Sequence, residues 1–71
     1  MTQKTETLAE AYDRELNRNR ALLTEYRGMP AASGWFGVSV LTPLIARAEK
    51  ASREGDVVQM LVIYFDLQDS Q

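Results

Sequence analysis

The chain has 71 residues, a formal net charge of −2, no cysteine and no histidine. A domain this short usually draws part of its stability from disulfides, a bound metal or a partner subunit. The missing cysteine and histidine exclude a disulfide framework, a thiolate zinc site and the commonest general base, which leaves oligomerisation as the most available support.

Two stretches bear on targeting and membrane insertion. Residues 1–6 lack the apolar core of a signal peptide, and the longest apolar run, 60–65, is far shorter than the ~20 residues of a membrane helix. We expect one cytoplasmic domain over residues 1–71, with residues 1–4 disordered and 68–71 frayed.

The first predicted element is a long helix. Residues 5–27 are rich in Ala, Leu, Glu and Arg, which favour a helix. Asn19 is either a polar residue that sets the register of an apolar seam or an exposed residue. Gly28 at the C′ position and Pro30 beyond it predict the end of the helix. The apolar residues that share one face, with Asn19 at the missing position of their series, are Ala9, Tyr12, Leu16, Leu23 and Tyr26.

Charges of both signs alternate along this helix. A nucleic-acid-binding face carries an excess of positive charge, so the alternation favours a solvated surface with pairs such as Glu10–Arg14 and disfavours direct DNA binding. The basic residues are Arg14, Arg18, Arg20 and Arg27, interleaved with Glu6, Glu10, Asp13, Glu15 and Glu25.

The second segment contains two signals for a helix start. Ser33 is a good N-cap, and Thr42 followed by Pro43 predicts a cap with proline in the first turn. The secure helix is therefore 43–54, with Gly55 as its C′ residue.

The stretch before Pro43 is open between two conformations. Residues 34–42 are either extended or the first part of a helix that is kinked near Pro43. A series at i+4 spacing favours the single kinked helix: Phe36, Val40, Leu44 and Ala48, flanked by Trp35, Leu41, Ile45 and Ala51. Gly34-x-x-Gly37 resembles the nucleotide-clamping loop of KH domains, but it lacks that loop's basic residues, and either chance or close helix packing is the better interpretation.

The third segment, residues 56–67, is contested between strand and helix. Its β-branched and aromatic residues suit a buried strand, but only 34–42 could pair with it. Asp56 and Gln59 form a capping-box pattern, which favours a helix. Such a helix would be apolar almost all round, and two other helices cannot cover it.

We therefore expect an exposed apolar patch of several hundred Å², which usually marks an interface, and hence a homodimer. The predicted fold is all-α: a long first helix, a second kinked near Pro43 and an apolar third, completed by dimerisation.

The polar residues indicate no catalysis. The hydroxyls of Ser33, Ser39, Thr42 and Ser52 have no histidine to activate them, although Lys50 is a candidate base. The carboxylates lie on helix faces beside arginines, where their pKa values are not driven apart. We predict no enzymatic activity, no metal site and no cofactor.

The candidate residues are therefore those of a surface and a core, with aromatic residues and Met as the types enriched at interfaces. Phe36 is favoured as core, whereas Trp35 suits a core position and a partner anchor equally. We predict partner binding by Tyr26, Met29, Trp35, Glu49, Glu54 and Asp56. We predict a core or dimer role for Tyr12, Leu16, Leu23, Phe36, Val40, Leu44, Met60, Leu61, Tyr64 and Phe65.

Five runs carry a resemblance to a known group: ETLAEAYDREL, LLTEYR, WFG, IARAEKA and EGDVVQML. They resemble small helical proteins from the early regions of Mu-like phages and prophages, most of all the phage quorum-sensing anti-activators. The resemblance implies a dimeric, non-enzymatic inhibitor that occludes a host transcription activator, with a pilus-assembly ATPase as a second candidate target. It assigns no residue a role.

The leading hypothesis is a helical homodimer in the bacterial host cytoplasm that covers a surface of a host regulatory protein. An acidic chain could also compete for the basic DNA-contacting face of an activator, through Glu49, Glu54, Asp56 and Asp66. Two alternatives stay open: an assembly subunit of a larger phage complex, and a DNA-binding regulator that uses residues 5–27.

Overall fold

The computed structural model describes residues 6–70 and consists of three α-helices joined by short turns. The helices are α1 (Leu8–Arg27), α2 (Ala31–Glu54) and α3 (Val57–Asp69), and each one contacts the other two. The described part of the chain contains no strand. The predicted all-α, three-helix fold is confirmed, and the alternative of a strand in the third segment is wrong.

Helix α1 begins with a capping box that the sequence prediction overlooked. The Thr7 hydroxyl accepts a hydrogen bond from Glu10 N, and the Glu10 side chain accepts one from Thr7 N. At the other end, Gly28 is the C-cap of α1, and its backbone is in the right-handed helical conformation, with φ of −79°. The helix end is where the sequence predicted it, but the left-handed freedom of glycine is not used there.

Helix α2 is continuous from Ala31 to Glu54, so the single-helix interpretation is confirmed. Its N-cap is Pro30, whose carbonyl accepts hydrogen bonds from Ser33 N and Gly34 N. Ser33 therefore lies in the first turn, and the predicted cap at Ser33 is wrong because the two alanines after Pro30 extend the helix. Pro43 is inside the helix, so the predicted cap at Thr42 is wrong too.

The turn between α2 and α3 follows the sequence closely. Gly55 ends α2 in the left-handed conformation, with φ of 65°, where glycine is favoured. The Asp56 side chain then accepts a hydrogen bond from Gln59 N at 3.1 Å and caps α3. Helix α3 includes Gln68 and Asp69, for which the sequence indicated a frayed end. Residues 1–4 and 71, the rest of the predicted disorder, lie outside the described residues.

The core is formed by seams of buried residues spaced three and four apart, which keeps one face of each helix toward its neighbours. Met60 and Tyr64 are half-buried against this core, whereas Ala9 is exposed and does not belong to it. The buried members are Ala11, Tyr12, Leu16, Asn19 and Leu23 of α1; Gly34, Leu41, Leu44, Ile45, Ala48 and Ala51 of α2; and Ile63 and Leu67 of α3.

Glycines let α1 and α2 approach each other where the chain reverses. A Cβ atom on Gly34 would lie 2.2 Å from the backbone carbonyl oxygen of Tyr26, and one on Gly37 would lie 2.6 Å from its ring. The Gly34-x-x-Gly37 motif is therefore a helix-packing motif, one of the two interpretations that the sequence left open.

The molecule is flat, with principal-axis extents of 45 × 33 × 17 Å. Its radius of gyration is 13.6 Å, against roughly 11 Å for a compact domain of this length. Because three helices in a flat arrangement cover one another on few sides, much of α2 and α3 stays at the surface.

Candidate interaction surfaces

An exposed apolar surface follows one side of α3. Val58, Leu61, Val62 and Phe65 are spaced i, i+3, i+4 and i+7, so they form a single stripe. Their exposed fractions run from 46% for Leu61 to 70% for Val58. Ile63 lies on the opposite side of the helix and is buried in the core. The four residues are called the α3 stripe below.

A second apolar surface lies on the first turns of α2. Trp35 and Phe36 are 62% and 68% exposed, and their rings meet edge to face with centroids 6.1 Å apart. Tyr26, Met29 and Trp35 line a shallow depression of about 360 Å³ beside this pair. The structure thus brings together three of the residues that the sequence assigned to partner binding.

Four predicted core residues are exposed in this chain: Phe36, Val40, Leu61 and Phe65. As members of the chain's own core they were wrongly predicted, because α2 and α3 are apolar on two sides and the neighbouring helices cover only one. Their assignment to a dimer interface stays a prediction. Trp35, for which core and anchor were equally favoured, lies at the surface.

The other predicted core residues are placed as expected. Tyr12, Leu16, Leu23 and Leu44 are buried, and Tyr12 donates a hydrogen bond to the Ala48 carbonyl at 2.7 Å. Burial, and after it the neighbouring Asp13 carboxylate, raises the pKa of the Tyr12 hydroxyl above its ordinary value.

The acidic residues predicted to bind a partner do not gather with the aromatic ones. Glu49 pairs with Arg20 of α1 at 2.7 Å. Glu54 and Asp56 line a different depression, of about 250 Å³, with Arg47 and Lys50. That depression is mixed in charge, so these carboxylates do not form an acidic surface together.

A groove runs between the middle of α2 and the C-terminal end of α3. One part measures about 390 Å³ and is lined by Val40, Pro43, Leu44, Arg47, Asp66, Asp69 and Ser70. An adjoining part of about 220 Å³ is lined by Tyr26, Phe36, Gly37, Val40, Leu41, Asp69 and Ser70. The two parts share three residues and form one channel, called the α2–α3 groove below. No sequence pattern indicates this groove, because two exposed faces from separate helices build it.

Arg18 and Asn19 of α1 hold the C-terminal end of α3. The Arg18 guanidinium donates to the carbonyl oxygens of Leu67 at 2.6 Å and Ser70 at 3.1 Å. Asn19 Nδ2 donates to the carbonyls of Glu15 at 2.7 Å and Leu67 at 3.0 Å. Asn19 is fully buried, so its interpretation as an exposed residue is wrong. Its Oδ1 is a buried oxygen without a hydrogen-bond partner among the described residues.

Three of the four arginines of α1, namely Arg14, Arg18 and Arg20, are engaged within the chain. Arg14 pairs with Glu6 and Glu15, and its hydrogen bond to Glu6 raises the pKa of its guanidinium. Arg18 also pairs with Glu15, at 2.9 Å. With Arg20 held by Glu49, little unpaired positive charge is left on this helix for phosphate groups.

Residues 6–70 hold no group of three or more carboxylates that could bind a metal ion. No helix in this part of the chain has the length and apolar character needed to cross a membrane.

Comparisons with protein-family models, with curated protein sequences and with solved structures find no match to this chain. The resemblance to phage anti-activators therefore stays a prediction.

Proposed function

We propose that this chain is a non-enzymatic regulatory protein that acts as a homodimer and inhibits a host protein by covering one of its surfaces. The observation that supports the proposal is the α3 stripe, four large apolar side chains that are exposed on the side of α3 opposite its buried face. Contiguous apolar patches of this kind are rare on monomers that have no binding partner.

A second copy is the occupant that best suits the α3 stripe. A helical face with i, i+3, i+4 and i+7 anchors packs well against another helix, and two-fold symmetry would pair α3 with itself. The stripe exposes several hundred Å², a large part of the ~800 Å² that each partner buries in a standard interface. Burial of apolar surface contributes roughly 25 cal/mol per Å², so the stripe alone would supply several kcal/mol of association energy.

The target would then bind the second apolar surface, formed by Trp35 and Phe36 on the first turns of α2. Aromatic residues often supply the dominant binding energy of an interface, and Trp35 stands exposed beside the depression that Tyr26 and Met29 line. The resemblance to phage anti-activators suggests the target class: a host quorum-sensing transcription activator, with a pilus-assembly ATPase as a second candidate, in the cytoplasm of a bacterial host.

Affinity capture from host lysate tests the inhibitory function. The tagged wild-type chain should retain one or a few host proteins, and Trp35→Ala should lose them. Ala46→Ser, at an exposed position about three turns further along α2, should not. Calorimetry with the captured protein then measures affinity. The proposal fails if Trp35→Ala and charge reversal at Glu49, Glu54, Asp56 and Asp66 all leave binding unchanged, or if the captured proteins are only phage structural subunits. The latter outcome would support an assembly role.

A further inference from the structure

We propose that the α2–α3 groove binds a basic amphipathic helix of the partner protein. An aliphatic side chain of that helix would lie on the groove floor, and its Arg or Lys side chains would pair with Asp66 and Asp69. The inference rests on the proposed function, because it names the chemistry of the segment through which a partner is recognised.

The floor of the groove is apolar. Phe36 and Val40 line it with 68% and 47% of their surfaces exposed, and Pro43 and Leu44 continue it along α2. This part of the floor belongs to a helix whose backbone N–H groups bond within α2, so it offers no free donors to an extended peptide. Helix-in-groove recognition, in which apolar side chains at i and i+3 or i+4 enter such a channel, fits this lining better than addition of a strand.

The rim of the groove is acidic on the α3 side. Asp66 and Asp69 lie in the last turn of α3, where the helix dipole is negative and where no basic residue of α3 stands. Neither carboxylate has an ion-pair partner within residues 6–70. Arg18 donates hydrogen bonds to the carbonyl oxygens at the end of α3, and it is not among the residues that line the groove.

Arg47 is the one basic side chain among the lining residues, so two carboxylates face a single guanidinium. This balance selects a cationic occupant. A second copy of the chain suits the groove poorly, since the chain is itself acidic, with a pI near 4.9. The groove and the α3 stripe therefore have different occupants.

Fluorescence anisotropy tests the proposal with a labelled synthetic helix of about 18 residues, with Leu at i, i+3, i+4 and i+7 and Arg on its polar face. The protein should bind this peptide, and higher salt should weaken binding. The double variant Asp66→Asn/Asp69→Asn should weaken it about three- to tenfold, and Arg47→Gln should strengthen it about twofold. The matched control Asp13→Asn/Glu25→Gln, which removes the same charge from α1, should change it by less than about twofold.

Three outcomes would overturn the inference. One is equal binding of a scrambled peptide of the same composition, or of a peptide with Glu in place of Arg. Another is an equal effect of the groove variant and the α1 control. The third combines two results: the wild type does not bind the peptide, and Asp66→Asn/Asp69→Asn shifts the monomer–dimer equilibrium. Together they would assign the groove to a second copy. Circular dichroism checks that each variant is folded.

The result is separable from the proposed function. If the groove inference fails, dimerisation and the Trp35-dependent capture of a host protein are unaffected. If the regulatory function fails, no host protein is captured, and the purified chain still binds the basic peptide with the same dependence on Asp66 and Asp69.

Discussion

At the scale of single residues, three of the four glycines, Gly34, Gly55 and Gly28, serve different purposes. Gly34 permits a close backbone approach, since a Cβ there would meet the Tyr26 carbonyl oxygen at 2.2 Å. Gly55 supplies a left-handed turn with open space around it. Gly28 has right-handed backbone and only ordinary contacts, the nearest at 3.5 Å.

Alanine substitution at these glycines should therefore give a graded series of stabilities. We expect Gly34→Ala to lower the free energy of unfolding by more than about 2 kcal/mol, because backbone atoms must move apart. Gly55→Ala should cost roughly 1 kcal/mol for its left-handed φ, and Gly28→Ala should stay within about 0.5 kcal/mol of wild type. Urea unfolding followed by circular dichroism measures the series, and a Gly34→Ala variant as stable as Gly28→Ala would contradict the packing described.

The buried Tyr12 hydroxyl links stability to alkaline pH. Its pKa is raised in the folded chain, so the folded state keeps a proton that the unfolded state releases above about pH 10. The stabilisation is complete below that pH and is lost as the pH rises through the folded-state pKa.

We expect the unfolding free energy of the wild type to fall more steeply between pH 9 and pH 11 than that of Tyr12→Phe. The variant should also be about 1 kcal/mol less stable at neutral pH, because the hydrogen bond to the Ala48 carbonyl is lost. Urea titrations at several pH values test both points. Parallel curves for the two proteins would exclude Tyr12 as the source of the pH dependence.

At the scale of the helices, the sequence predicted the number, type and order of the helices, because capping or helix-ending residues mark where helices begin and end. Gly28, Gly55 and Asp56 lie within one residue of the ends they marked. The face that α2 buries was harder to predict. The i+4 series that starts at Phe36 begins off the contact face and reaches it only at Leu44 and Ala48, whereas the spacing of three and four through Gly34, Gly37, Leu41 and Leu44 follows it. Glycines contribute no apolar signal, so hydrophobicity alone selected the wrong face for the first half of α2.

Contacts between helices were less predictable than helix ends. Arg18 and Asn19 bond to carbonyls about 50 residues further along the chain, and no sequence pattern pairs a side chain with such a distant backbone. The α2–α3 groove depends on the same packing. The α3 stripe was predictable, because it needed only the composition of one helix and the number of helices available to cover it.

The Arg18 contact predicts a local effect on α3. Arg18→Ala removes donors to the carbonyls of Leu67 and Ser70, so we expect the last turn of α3 to open more often. Hydrogen exchange should show protection of the amides of residues 66–69 falling by roughly tenfold, about 1.4 kcal/mol, with little change in the middle of α3. Arg20→Ala, which breaks the exposed pair with Glu49 and an exposed hydrogen bond to Asn17, is the matched control and should leave α3 unchanged. A loss spread evenly over all three helices would contradict a capping role.

At the scale of the whole molecule, a flat chain that exposes the α3 stripe should gain stability from self-association. When folded chains associate and unfolded chains do not, a higher protein concentration favours the folded dimer by mass action. The temperature of unfolding then rises with protein concentration. We expect the thermal midpoint of the wild type to rise over a hundredfold range of concentration, and light scattering to give about twice the 8.0 kDa chain mass.

The variant Leu61→Gln/Phe65→Gln changes only exposed positions of the stripe, so it should stay helical, scatter as a single chain and unfold at a midpoint independent of concentration. Ala21→Gln/Ala46→Gln, at exposed positions of α1 and α2, controls for the substitutions themselves and should behave as wild type. A wild-type midpoint that does not move with concentration, together with a single-chain mass, would refute the dimer and leave the α3 stripe free for a different protein.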